Sequence, residues 1–265
     1  MNSSVKASYA DRIENSAKKN NSKIILALDI STDKPHNPEV ISEIINQTAL
    51  YLCAVKINFH ILLSYSPEEI KRFNELIHSY GLQSIADIKL NDIPNTNSVA
   101  LKHLRLSDFD GIIVNPIMGR NSLAALVNNA HLLKMGILSV VYMSSPYAKQ
   151  TYGLRMMVNS NGAKASGMSL YEIFLKYALD VNVDGIIVGA NRVPVIKSIS
   201  ARSSIPIYSP GVGVQGGSIE RAMDNGSSYV ILGRSILRSS NPRELLSILR
   251  KASNKYWPSH RFLGT

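Results

Sequence analysis

Charged residues stand where short apolar runs end: Asp29, Lys56, Asp87 and Lys89. Charge beside a core is costly unless paired, so such groups are either ion pairs or parts of a site. The densest stretch is Ala86-Asp87-Ile88-Lys89-Leu90-Asn91-Asp92-Ile93-Pro94-Asn95-Thr96. Strand alternation puts Asp87 and Lys89 on one face, with Asp92 on the loop just beyond. Taken alone, Asp-x-Lys reads as a surface ion pair. Two further stretches change that reading. Ser209-Pro210-Gly211-Val212-Gly213-Val214-Gln215-Gly216-Gly217 has glycines that let backbone N–H groups approach a phosphate. Gly233-Arg234-Ser235-Ile236 opens a short helix, whose free N–H groups favour an anion, and Arg234 adds a bidentate partner. Lysines beside carboxylates, close to an anion site, suit proton transfer and stabilisation of negative charge.

The elements that must position these residues recur along the chain. Strands are predicted over residues 23–28, 53–57, 83–88, 111–114, 137–142, 185–188, 205–208 and 229–232, with helical patterns between them. Near-continuous apolar strands alternating with helices imply a parallel sheet covered by helices. Eight units in one domain fit a closed (β/α)₈ TIM barrel. A doubly wound open sheet is the competing α/β fold, but Leu28-Asp29-Ile30-Ser31 after the first strand lacks the glycines of a dinucleotide turn. In the barrel, Asp29, Lys56, Asp87, Lys89, Asn115, Ser144, Pro210, Gly233 and Arg234 all fall at carboxyl ends of strands, the active-site face. The barrel spans residues 23–256, with a basic amino-terminal extension over 1–22 (an added helix or a mobile arm) and a tail over 257–265. The fifth loop, residues 147–167, is long enough to act as a lid. No internal repeat is read.

Composition narrows the function classes. The net charge of +10 invites a nucleic-acid reading, but the cations are scattered, with no aromatic-interleaved stripe or zinc pattern. No nucleic-acid partner is expected; an anionic small molecule is. The apolar runs are far too short to cross a membrane, and a positive start with no apolar segment after it argues against a secretory signal over residues 1–22. The lone Cys53 cannot form an internal disulfide and reads as a buried structural thiol. A soluble cytoplasmic protein is expected. His60, His78 and His103 lack metal-ligand spacing, His260 lies in the tail, and Tyr256 and Trp257 read as anchors of the last helix.

Together these stretches resemble the orotidine 5′-phosphate decarboxylase family. The resemblance rests on Leu26-Ala27-Leu28-Asp29, Val55-Lys56-Ile57, the run from Asp87 to Asn97, Met143-Ser144-Ser145-Pro146, and the two anion loops, all in the expected order. It implies a cofactor-free and metal-free decarboxylase acting on orotidine 5′-phosphate, with Lys89 protonating C6 as carbon dioxide leaves. Asp87 would lie beside the departing carboxylate, and Lys56, Asp87, Lys89 and Asp92 would form an alternating charge array. Asp92 and Thr96 would come from the partner subunit of a homodimer. Asp29 and Lys56 would contact the ribose hydroxyls, Ser144 the pyrimidine edge, and Gln215, Gly233 and Arg234 the phosphate, with Pro210 also among the substrate contacts. Asn58-Phe59-His60 replaces a more usual glycine-containing turn after Lys56, and Ser145 and Tyr147 depart from the commoner histidine and glycine.

Two other readings compete. Magnesium-dependent relatives on the same barrel, hexulose-phosphate synthase and ketogulonate-phosphate decarboxylase, share the Asp-x-Lys-x-x-Asp run. They carry a glutamate metal ligand on the second strand, where Lys56 would repel Mg²⁺, and Asp-Ala-Gly where this chain has Asp92-Ile93-Pro94. A non-catalytic nucleotide-binding barrel would be expected to lose a member of the charge array, and none is missing.

Overall fold

The structure is a computed structural model that describes residues 7–30, 37–158, 166–213 and 216–255. Eight parallel strands close into a barrel: β1 (Ile24–Leu28), β2 (Ala54–Asn58), β3 (Gln83–Leu90), β4 (Gly111–Val114), β5 (Gly136–Tyr142), β8 (Gly185–Val188), β9 (Ile207–Pro210) and β10 (Tyr229–Leu232). The two remaining strands, β6 (Arg155–Val158) and β7 (Ser166–Ser169), form an antiparallel hairpin after β5. β1, β4, β5, β8 and β10 are buried throughout, as expected for strands covered on both faces. The predicted strand positions hold, with ends displaced by one or two residues. The largest extension is β3, which runs on to Leu90 and carries the site with it.

The amino-terminal extension is a helix, Tyr9–Asn20, started by a capping box between Ser8 and Asp11. Tyr9, Ile13 and Ala17 recur every four residues and are buried, so one face of the helix closes the barrel floor. Ser16 Oγ donates to the Cys53 carbonyl at 2.6 Å and Asn20 Nδ2 to the Leu52 carbonyl at 2.9 Å. Arg12 Nε donates to Gln83 Oε1 at 3.0 Å. These partners lie at the starts of β2 and β3, opposite the active-site face. The Tyr9 ring fills the space beside Gly136, where an added Cβ would come within 2.2 Å of it.

A short sequence match recurs on the barrel floor. Asp-Gly-Ile-Ile-Val occurs at 110–114 and again at 184–188, and the two copies make the same contacts. Asp110 Oδ2 accepts from Ser84 N and lies 2.8 Å from His78 Nε2. Asp184 Oδ2 accepts from Ile137 N and lies 2.9 Å from His131 Nε2. Each aspartate ties the opening of its own strand to the first amides of the strand before it and to the helix that precedes that earlier strand. Five residues were too short a match to stand out in the sequence.

The fifth loop is structured at its base. It holds a 3₁₀ turn (Pro146–Ala148), a short helix (Lys149–Tyr152) and the β6–β7 hairpin. Tyr142 stacks on Tyr152 at 5.3 Å and packs against Tyr171, while Tyr152 meets Phe174 edge-on. Aromatic contacts of this kind hold a segment in one place.

Tyr9→Ala is expected to lower unfolding stability by about 3 kcal/mol in urea titration, the usual cost of emptying a large buried site. Gly136→Ala should destabilise the parent chain but cost much less in the Tyr9→Ala background, where the ring it strikes is gone. Strictly additive losses would show that the ring does not fill this space.

Candidate active site

The carboxyl ends of the strands converge on a cavity of about 240 Å³. Its charged centre is Asp87, whose two oxygens each accept from a different ammonium: Lys56 Nζ at 2.6 Å on Oδ2 and Lys89 Nζ at 2.7 Å on Oδ1. Lys56 and Asp87 are buried, whereas the Lys89 side chain is 39% exposed. Burial works to raise the Asp87 carboxyl, but Lys56 and Lys89 outweigh it and hold the group below the ordinary carboxylate range. Burial pushes the Lys56 ammonium below the ordinary lysine range, and attraction to Asp87 offsets this only in part.

Asp87 and Lys89 do meet, but not by simple strand alternation. Asp87 pairs with Ile113 of β4, and the next pair is Leu90 with Val114, so β3 bulges over Ile88 and Lys89. Lys89 has φ +47°, in the left-handed region. A lysine there costs on the order of 1–2 kcal/mol; such strain persists where surrounding contacts fix it, as at functional sites. The bulge turns the Lys89 ammonium back onto Asp87 at the cavity wall.

A second group lies at the ends of β1 and β2. Asn58 Oδ1 accepts from Lys56 Nζ, and Asn58 Nδ2 donates to Asp29 Oδ1 at 3.2 Å. Arg234 Nε stands 3.7 Å from Asp29 Oδ2, and His60 Nε2 lies 4.0 Å from Asp29 Oδ1. Pro210, Gly211, Val212, Gly233, Arg234 and Ser235 line the same end of the cavity. Gly211 and Gly213 have φ near +90° and +80°, conformations that glycine adopts without strain. Gly213 N donates to the Gly217 carbonyl at 2.8 Å, closing the loop on itself. Gln215 lies outside the described residues. The cavity brings three cations, Lys56, Lys89 and Arg234, against two carboxylates, Asp29 and Asp87, which favours an anionic ligand.

Ser144 lines the third side, after β5. Its carbonyl accepts from Asn191 Nδ2 at 2.9 Å, and the Ser145 carbonyl accepts from Arg192 Nη2 at 2.9 Å. The Arg192 guanidinium also stands 4.9 Å from the centre of the Tyr142 ring. Ile113, Val140, Ile187 and Ile231 make the apolar floor. Asn58 stood in the sequence only as a departure from the usual turn after Lys56, and neither it nor Asn191 and Arg192 was assigned a role at the site. Asn58 is two positions beyond Lys56 on its strand, and Asn191-Arg192 follows the sixth barrel strand, so position alone marked them. Asp92 and Thr96 are not brought to the cavity within one chain. Both are exposed; Asp92 Oδ1 accepts from Ile93 N, and the buried Asn97 side chain clasps the Asp92 backbone. Among the described residues, no group of three His, Cys, Asp or Glu side chains could hold a metal ion.

Asp87→Ala strands the buried Lys56 ammonium and should lower stability by about 3 kcal/mol in urea titration. Lys56→Met combined with Asp87→Leu should recover most of that loss. A double variant as unstable as the single one would show that the pairing is not what the stability reports.

The chain matches the model of the "Orotidine 5'-phosphate decarboxylase / HUMPS family" over residues 22–247. It is 32% identical over 223 residues to the orotidine 5′-phosphate decarboxylase of Pyrococcus abyssi, covering 83% of this chain and 94% of that one. It is 33% identical over 235 residues to the enzyme of the same name from Thermoplasma volcanium, covering 88% and 94%. Among solved structures, orotidine 5′-monophosphate decarboxylase from Methanocaldococcus jannaschii complexed with inhibitor BMP superposes with a TM-score of 0.74 at 30% identity, covering 88% of this chain and 99% of that one. No described helix is long and apolar enough to cross a membrane. Barrel, charged cavity and sequence agree, and the chain belongs to the orotidine 5′-phosphate decarboxylase / HUMPS family.

Proposed function

We propose that this chain converts orotidine 5′-phosphate to UMP and carbon dioxide in the cytoplasm, using neither metal nor organic cofactor. The observation that carries the reading is the Lys89 ammonium fixed 2.7 Å from Asp87, in one cavity with Arg234 and the glycine-rich loop. Breaking the bond between C6 and the carboxylate leaves an electron pair in an in-plane orbital, outside the ring π system. A fixed ammonium stabilises that charge as it develops and then donates a proton to C6. Lys89 is left neutral and, being partly exposed, regains its proton from solvent. Asp87 lies beside the departing carboxylate and holds Lys89 in place. Asp29 and Lys56 take the ribose hydroxyls and Ser144 the pyrimidine edge. Gln215, Gly233 and Arg234 hold the phosphate, whose binding energy organises the site, and Pro210 lines the substrate cavity. The magnesium-dependent sugar-phosphate chemistry of other family members fits the donor set poorly, because both Asp87 oxygens are already engaged by ammonium groups.

The functional unit in this reading is the barrel of residues 23–256, with residues 1–22 and 257–265 as extensions. It works as a homodimer in which Asp92 and Thr96 complete the partner's array. Exposed apolar side chains in the Asp92 region, Ile93, Val99 and Ile117, support a covered surface there.

Purified protein in excess EDTA should consume orotidine 5′-phosphate, followed by its absorbance. Turnover only after Mg²⁺ is added, or none, would contradict the reaction. Lys89→Ala should abolish turnover while still binding UMP; loss of folding instead would make the lysine structural. Mixing inactive Lys89→Ala and Asp92→Ala protomers should restore roughly a quarter of parental activity, since each mixed dimer holds one intact site. No recovery would place Asp92 outside the partner's site.

A further inference from the structure

We infer that Asn58 is the positioning residue of the ribose end, holding Asp29 and Lys56 as a matched acceptor and donor for the sugar hydroxyls. The inference rests on the assignment of Asp29 and Lys56 to the ribose and deepens it.

The orientation of the Asn58 amide is dictated by its neighbours. Lys56 Nζ has only donors and Asp29 only acceptors, so the amide oxygen must meet the lysine and the amide nitrogen the carboxylate. That is the arrangement present, with Nδ2 3.2 Å from Asp29 Oδ1. A neutral amide between the two charges has a further consequence. A direct ion pair between Lys56 and Asp29 would compete with Asp87 for the ammonium. With Asn58 interposed, Lys56 stays 2.6 Å from Asp87, while Asp29 is oriented through one oxygen. Asp29 Oδ2 approaches Arg234 Nε only at 3.7 Å, longer than a hydrogen bond. It is therefore left to accept from a ligand hydroxyl. Leucine at position 58 offers no hydrogen bond, and aspartate would set a carboxylate against Asp29. The result is a continuous polar path from Lys89 through Asp87, Lys56 and Asn58 to Asp29.

The test compares UMP with 2′,3′-dideoxyuridine 5′-monophosphate, which keeps base and phosphate but lacks the ribose hydroxyls. By calorimetry, Asn58→Ala should weaken UMP binding about tenfold, the scale of a hydrogen bond to a charged group, and leave the dideoxy analogue unchanged. Turnover should show the loss mainly in KM, with kcat within about twofold of the parent, since uniform binding is what is removed. In an Asp29→Ala background, Asn58→Ala should cost less than in the parent, since only its hold on Lys56 remains to be lost. Equal losses for both ligands, unchanged UMP affinity, or losses additive with Asp29→Ala would overturn the inference. Should Asn58→Ala fold poorly by unfolding midpoint, Asn58→Ser is read by the same criteria. If the parent chain binds neither nucleotide, the decarboxylase reading fails and this inference with it. If the parent binds UMP and turns over orotidine 5′-phosphate, an Asn58 result against expectation counts against the inference alone.

Discussion

One carboxylate, Asp87, accepts from two ammonium groups on opposite oxygens at the edge of an apolar barrel, and the site is built around it. A lone charge so placed would be neutralised or expelled. Two cations keep it ionised, and it in turn fixes where both stand. The arrangement requires Asp87 at a strand end, Lys56 on the adjacent strand and a bulge that brings Lys89 back. Each of these is a property of the barrel, which explains why the chemistry needs so much scaffold.

The two ends of the barrel divide the work. The floor is fastened by the Tyr9–Asn20 helix and by the paired Asp110 and Asp184 contacts, all remote from the cavity. The upper face gathers the charges and leaves a cation excess for an anion to fill. Between strand and hairpin, Tyr142, Tyr152, Tyr171 and Arg192 hold the exit of β5, so Ser144 is presented on a supported backbone. The base of the fifth loop is therefore an anchored element.

Much of this was legible in the sequence, for identifiable reasons. Buried parallel strands are continuous apolar runs, so all eight barrel strands stood out, and charges at their tips marked the active-site face. What stayed hidden depends on geometry that residue types do not encode. Strand alternation gave the right pairing of Asp87 and Lys89 for an incomplete reason, because nothing in Asp-Ile-Lys announces a bulge. Asn58 and Arg192 act through amide and guanidinium contacts across strands. The helical fate of residues 9–20 depended on a floor for Tyr9 to fill. Asp92 lies away from the cavity of its own chain, and its assignment to the array rests on the proposed dimer.

The claim that Asp87 is held ionised by both lysines is open to direct measurement. Its folded-state carboxyl lies below the ordinary range, so the stability it contributes is present above that range and lost as pH falls through the lowered value. Carbon-13 NMR of the aspartate carboxyls, with Asp87 assigned by its loss in Asp87→Asn, follows this group alone. The account predicts a midpoint below that of a free aspartate, moving upward in Lys56→Met. A midpoint at or above the free value would contradict it.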